Sequence, residues 1–299
     1  MAETDDPRTL EGIRQLLARY RMRPSHRLGQ HFLIDTEVYE TIAGLVDAAG
    51  CPWALEIGPG PGGLTRSLLE HQRRVLAVEL DPGLASLLRQ ETKAFGAHIQ
   101  VVQQDAVASD WQRLAEAASM QAPLAVVGNL PYYVTGPLVA KLWEDALAWK
   151  RAVFMLQKEV AERLAAEPGQ RKAGVASVLI RYVGVPTIVC SVGKGAFYPP
   201  PEVDSAVLVV DRVQAPPVEF SRLRWWVRAG FQHRRKMLRQ ALSLAPGSQW
   251  DKEGWDRHLE QYGISGQRRA ESLTMQEWVR LAASLPLEGS ETTPQDRLK

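Results

Sequence analysis

Apolar positions recur along this chain in two alternating rhythms. Leu10, Ile13, Leu16, Leu17 and Tyr20 share one helical face, which predicts a first helix over 10–21 followed by a basic loop. Short β-rich runs then alternate with helical spacing: Trp53–Ile57, Val75–Leu80, Ile99–Gln103, Leu124–Gly128 and Val153–Leu156. That alternation predicts a parallel sheet covered by helices. Thr187–Val192 and Ala206–Val210 flank a turn at Pro199–Pro201 with little room for a crossover helix, so they predict an antiparallel hairpin closing the sheet edge.

Past Asp211 the strand signal stops. Pro216 and Pro217 mark a linker, and helical spacing follows at Ser221–Leu244, Trp250–Tyr262 and Thr274–Ala283. The fold class expected is α/β: a Rossmann-like sheet domain over 1–211 including the first helix, then a small C-terminal all-helical domain over 212–285. The polar stretch 286–299 is expected to be a disordered tail.

Composition narrows the function classes. Two cysteines, Cys51 and Cys190, lie far apart and outside any metal-ligand spacing, which argues against a disulfide framework or a structural zinc site. No signal-peptide core and no long apolar run is present, so a soluble, cytoplasmic chain without membrane contact is expected. The net charge of +2 hides an asymmetry: residues 212–285 carry 13 Lys/Arg against 7 Asp/Glu, a surplus of +6, and the remainder carries −4. A locally basic segment beside a neutral body suggests an RNA or DNA contact, although a solvated helix surface gives the same count.

The chemistry-bearing residues fall at strand ends. Gly58, Gly60 and Gly63 follow the first sheet strand and open a helix, where glycine lets the backbone turn sharply and approach a ligand. Taken alone the motif also suits a nicotinamide dinucleotide. Glu79 ends the next strand about twenty residues on, placed to accept from ribose hydroxyls. Asp105 and Ala106 end the third, where a carboxylate can accept an adenine amine while the adjacent backbone reads the ring edge; the bland reading of Asp105 is a helix cap. The fourth runs into Asn129, Leu130, Pro131 and Tyr132. An aromatic amine is a poor nucleophile because its lone pair is delocalised. Acceptors aimed at its hydrogens, the Asn129 oxygen and the Leu130 carbonyl, make it more tetrahedral, while Pro131 stiffens the turn and Tyr132 stacks on the base. An ordinary strand-ending turn is the alternative.

The ordered set of motifs resembles the ribosomal RNA adenine dimethyltransferases, most closely their bacterial small-subunit branch. The pieces are 28–33 (LGQHFL), 56–60 (EIGPG), 78–81 (VELD), 103–106 (QQDA), 129–133 (NLPYY), 155–164 (MLQKEVAERL), 197–207 (FYPPPEVDSAV) and 231–239 (FQHRRKMLR), and the resemblance spans about 10–285. It implies S-adenosyl-L-methionine as cofactor, leaving as S-adenosyl-L-homocysteine, with no metal. By the resemblance Gln30, His31 and Leu33 close over the methionine end, Gly58 and Gly60 contact its backbone, Glu79 holds the ribose, and Asp105 with Ala106 reads the adenine. Asn129 to Tyr132 hold the target base and Phe197 forms a second aromatic wall; without the resemblance Phe197 reads as a core residue. The implied substrate is 16S ribosomal RNA in an immature small subunit, bound by a monomer. Arg234, Arg235, Lys236 and Arg239, expected within two helical turns, with Arg228 one turn back, offer phosphate contacts, although part of the cluster can serve as structure.

Two positions depart from the family, His31 and His233, each where asparagine is usual. Imidazole can replace an amide hydrogen bond, so binding is expected to survive, and a pH dependence near the ordinary histidine value of about 6.5 follows if either side chain touches a ligand. The competing readings are a resistance-type enzyme acting on large-subunit RNA, a non-catalytic assembly factor, and a nicotinamide oxidoreductase.

Overall fold

The structure, a computed structural model, describes residues 6–25, 29–130 and 134–284. Pro131 and Tyr132, and the tail 286–299, lie outside the described residues. The chain divides into two compact units, one of residues 1–161 with 185–212, the other of residues 162–184 with 213–299.

The first unit holds helices α1 (Leu10–Arg19), α2 (Thr36–Ala48), α3 (Gly63–Glu70), α4 (Pro82–Glu91), α5 (Trp111–Ala117) and α6 (Thr135–Glu144). Its strands are β1 (Phe32–Leu33), β2 (Trp53–Ile57), β3 (Arg74–Glu79), β4 (Ile99–Gln103), β5 (Leu124–Asn129), β6 (Trp149–Gln157), β7 (Gly184–Val192), β8 (Phe197–Tyr198) and β9 (Ser205–Arg212). Seven of these form one sheet in the order β4-β3-β2-β5-β6-β9-β7. The pairs from β4 to β6 are parallel, and β6 pairs antiparallel with β9. The central strands β2 and β5 are mostly apolar and buried, the exceptions being the buried Glu56 in β2 and the half-buried Asn129 that ends β5, as expected when helices cover both faces.

From β2 the chain winds outward through β3 and β4, then returns to β5 on the other side. The switch point between β2 and β5 is where open α/β sheets receive ligands. Gly128 is required there, since a Cβ would lie 2.5 Å from the Ile57 carbonyl oxygen.

Thr9 caps α1 by accepting from Gly12 N–H. Ile13 and Leu17 of α1 pack with Phe32 and Leu84 in a small cluster beside the main core. The Phe32 ring in turn stands 3.3 Å from where a Cβ on Gly60 would lie. Truncating Phe32 to alanine would cost about 3–5 kcal/mol and loosen the glycine loop. Among the described residues no helix is long and apolar enough to cross a membrane.

The second unit contains α8 (Val175–Val183), α9 (Phe220–Phe231), α10 (Leu238–Ser243), α11 (Lys252–Gln261) and α12 (Met275–Ala283); α7 (Lys158–Ala165) straddles the division. Sequence predicted one boundary at 211, whereas residues 162–184 belong with the helices. The cause is packing: Tyr182 donates to the Val218 carbonyl at 2.8 Å and its ring lies 5.2 Å from that of Phe220.

The helix expected over Ser221–Leu244 is two helices. After Phe231 the chain turns through 232–237, and the N–H groups of Leu238 and Arg239 donate to the carbonyls of Arg268 and Gly266. Arg234, Arg235 and Lys236 therefore sit in a turn rather than on two helical turns.

Candidate functional site

A cavity of about 220 Å³ opens at the carboxyl edge of the sheet. The carboxyl ends of β2, β3, β4 and β5 all reach it, through Gly58, Glu79, Asp105 and Asn129. Every residue expected to hold the cofactor lines it: Gln30, His31, Leu33, Gly58, Gly60, Glu79, Asp105, Ala106 and Asn129. Leu130 lines it too. Phe197 does not: it is 3% exposed and packs in the main core with Leu33 and Val207. Its pairing opposite Leu33 in the β1-β8 ladder turns the ring inward, so this arrangement favours the core reading over the aromatic wall.

The glycine loop is shaped by backbone. Gly58 and Gly60 adopt φ of 65° and 57°, the left-handed region. Gly58 N–H donates to the Val78 carbonyl at 2.9 Å, and Gly60 N–H to Glu79 Oε2 at 3.0 Å. Asp81 N–H donates to Glu79 Oε1 at 2.9 Å, so both carboxylate oxygens are oriented. Burial nevertheless raises the Glu79 carboxyl above its ordinary range, against those backbone hydrogen bonds.

Asp105 is exposed at the cavity rim, and its Oδ1 accepts from Val107 N–H at 2.8 Å. The carboxylate thus caps a turn at 106–109; the helix after it, α5, is capped by Asp110.

At the β5 end, Asn129 Nδ2 donates to the His31 carbonyl at 3.0 Å. That bond settles which end of the amide is donor and leaves the oxygen as an acceptor. Leu130 N–H donates to the Met155 carbonyl, which holds the motif to β6.

Tyr39 and Glu56 also line the cavity and carried no role in the sequence reading. Tyr39, from α2, is buried and donates to the Leu33 carbonyl at 2.9 Å, fixing a segment that lines the cavity. Glu56 sits 1% exposed inside β2, accepts from the Thr65 hydroxyl at 2.7 Å, and is pushed up to about 8 by burial, with Glu79 nearby adding to the rise. The signal for it was available: a lone carboxylate in the apolar run WALEI.

The described lining holds three carboxyl groups, Glu56, Glu79 and Asp105, and no lysine or arginine. Such a cavity suits a ligand carrying cationic groups and disfavours the pyrophosphate of a dinucleotide. Among the described residues no cluster of three or more His, Cys, Asp or Glu could hold a metal ion.

In the second unit Arg234 is already engaged: it donates to the carbonyls of Arg171 and Ala173 and pairs with Glu271. Arg239 pairs with Asp256 at 2.7 Å. Arg228, Arg235 and Lys236 are exposed.

Fold and site together define a Rossmann-like methyltransferase. A profile of the family described as Ribosomal RNA adenine dimethylase matches residues 22–285, and the chain belongs to that family of ribosomal RNA methyltransferases. It is 37% identical over 277 residues to the Ribosomal RNA small subunit methyltransferase A of Geobacillus sp. (strain WCH70), covering 91% of this chain and 95% of that one. It is 41% identical over 284 residues to the protein of that name from Anaeromyxobacter sp. (strain K), covering 91% and 97%. Among solved structures, a dimethyladenosine transferase from Plasmodium falciparum shares the fold with a TM-score of 0.69 at 22% identity, over 83% of this chain and 95% of that one. The 23S rRNA methyltransferase ErmE aligns with a TM-score of 0.63 at 25% identity, over 83% and 97%. Family and fold imply the use of S-adenosylmethionine.

Proposed function

We propose that this enzyme transfers methyl groups from S-adenosylmethionine to N6 of two adjacent adenosines in the 3'-terminal hairpin loop of 16S ribosomal RNA, up to two on each. It works as a cytoplasmic monomer on an immature small subunit and is linked to subunit maturation. The observation that carries this reading is the acid-lined cavity at the sheet edge with Asn129 at its end.

Gln30, His31 and Leu33 cover the methionine end of the cofactor, Gly58 and Gly60 allow its close approach, Glu79 takes the ribose hydroxyls, and Asp105 with Ala106 reads the adenine. The bound cofactor supplies an electrophilic methyl group on a positively charged sulfur. The Asn129 oxygen accepts one hydrogen of the target amine, and the Leu130 carbonyl is the second acceptor. Tyr132 stacks on the base. Positioning of the nitrogen lone pair supplies most of the rate, with acceptors stabilising the positive charge that grows on nitrogen. The surplus proton leaves to water. For the second transfer one N–H remains, so one acceptor suffices and the other must tolerate a methyl group. The adenosines have to be unstacked, since the amine cannot reach the donor inside a helix. Arg228, Arg235 and Lys236 contact phosphates, while Arg234 and Arg239 act through their internal pairs.

The test is incubation with labelled S-adenosylmethionine and unmethylated small or large subunits, with mapping by mass spectrometry. Dimethyladenosine at paired positions near the small-subunit RNA end is expected. Label on the large subunit alone would replace this reading with the resistance-type activity, and cofactor binding without label on either subunit would support a non-catalytic assembly role.

A further inference from the structure

His31 sits where a hydrogen-bond ladder runs out. In the antiparallel β1-β8 pair, Leu33 lies opposite Phe197 and Phe32 opposite Tyr198. One residue further out, His31 comes opposite Pro199. Ile34 N–H donates to the Ala196 carbonyl, so the hydrogen-bonded positions of this ladder fall at 34 and 32, and 31 lies between such positions with no backbone bond to Pro199 expected. A side chain makes the link: His31 Nδ1 lies 2.8 Å from the Pro199 carbonyl oxygen, which can only accept, so Nδ1 is the donor. The same residue's carbonyl receives the amide of Asn129 at 3.0 Å.

We propose that His31 is a positioning residue for Asn129: its side chain anchors the loop backbone to Pro199, and that backbone orients the asparagine amide that meets the target base. The inference rests on the methyl-transfer reading above and adds a residue that acts through another.

Stereochemistry makes the requirement specific. Asparagine at 31 would place a donor nitrogen the same number of bonds from the backbone as Nδ1, whereas aspartate would put an acceptor against the Pro199 carbonyl.

The experiment uses the full chain with His31→Ala, His31→Asp and His31→Asn. A misplaced reacting group costs about tenfold to a hundredfold in rate. The imidazole is engaged by Pro199, so the cover that His31 gives the cofactor is assigned to its backbone. His31→Ala and His31→Asp are therefore expected to lower kcat by that amount while the Kd for S-adenosylmethionine stays within about threefold, and His31→Asn is expected to recover most of the loss. A second readout needs no turnover. Asn129 is the sole asparagine of the sequence, so selective 15N-asparagine labelling gives one side-chain amide pair. Its protection from exchange in the native protein, lost in His31→Ala with circular dichroism unchanged, supports the proposal. An unchanged amide pair in His31→Ala overturns it, as does a Kd weakened tenfold with kcat intact, which would make the imidazole a direct cofactor contact. If the native protein transfers no methyl group, the methyl-transfer reading fails, and the amide signal still decides whether His31 steers Asn129.

Discussion

Glu79 ends β3 with both carboxylate oxygens held, one by Gly60 N–H at 3.0 Å and the other by Asp81 N–H at 2.9 Å. One carboxylate therefore braces the glycine loop and faces the cavity at once. Glu79→Ala removes a charged acceptor and strands the Gly60 donor. Hydrogen bonds to charged groups contribute about 1.5–3 kcal/mol, or roughly 10- to 150-fold in affinity. Calorimetry is expected to show cofactor Kd raised in that range. Unchanged affinity would remove Glu79 from the site.

Glu56 makes cofactor affinity depend on pH. Burial, and then Glu79, push its carboxyl up to about 8, so it is protonated at neutral pH in the empty cavity. A cationic ligand favours the ionised form, so binding releases a proton and affinity is expected to rise as pH approaches about 8, then level. The empty fold behaves oppositely. In the unfolded chain this carboxyl titrates near 4.5, so stability falls as pH rises from there toward about 8, the fold retaining a proton the unfolded chain has lost. Glu56→Gln should flatten both dependences. Titrations in buffers of different ionisation enthalpy measure the released proton, and its absence would contradict the argument.

Asn129→Ala should leave S-adenosylmethionine binding within a few-fold and abolish most turnover, because the lost acceptor acts on the base. Removing a single preorganised polar group of this kind costs about 10²–10³ in kcat. Near-native turnover with unmethylated subunits would sink the mechanism.

The basic residues separate into two groups. Arg235→Ala and Lys236→Ala, at exposed positions, should leave thermal stability alone and each reduce the salt dependence of RNA binding by roughly one unit of slope. Arg239→Ala removes the partner of Asp256 and should cost about 1 kcal/mol of stability. Filter binding over a salt series, beside melting curves, tells the groups apart. Equal salt slopes for all three variants would show that the structural sorting does not carry to RNA.

Much of this was legible in the sequence because it is local. Apolar runs broken by helical spacing predict the parallel strands from β2 to β6, and the ligand-facing residues Gly58, Glu79, Asp105 and Asn129 stand one at each successive strand end. What escaped depends on partners far along the chain. The break between α9 and α10 contains no glycine or proline; it forms because Leu238 and Arg239 donate to the 266–268 loop. Phe197 is drawn into the core by Leu33, and the His31 bond to Pro199 spans 168 residues. Glu56 was a different miss, since a carboxylate inside an apolar strand signals its own importance without any long-range knowledge.

The division of the chain into units also bears on inheritance. Residues 162–184 belong to the helices and residues 185–212 return to the sheet, so the polypeptide changes unit three times. A single genetic crossover near residue 212 would deliver α9 to α12 from one parent and α8 from the other. The recombinant would have to find again the matches of Tyr182 with Val218 and of Arg234 with Arg171 and Ala173. Swapping the helical unit intact takes three crossovers, one at each change of unit, and lineages should therefore transmit both units of this enzyme as one inseparable block.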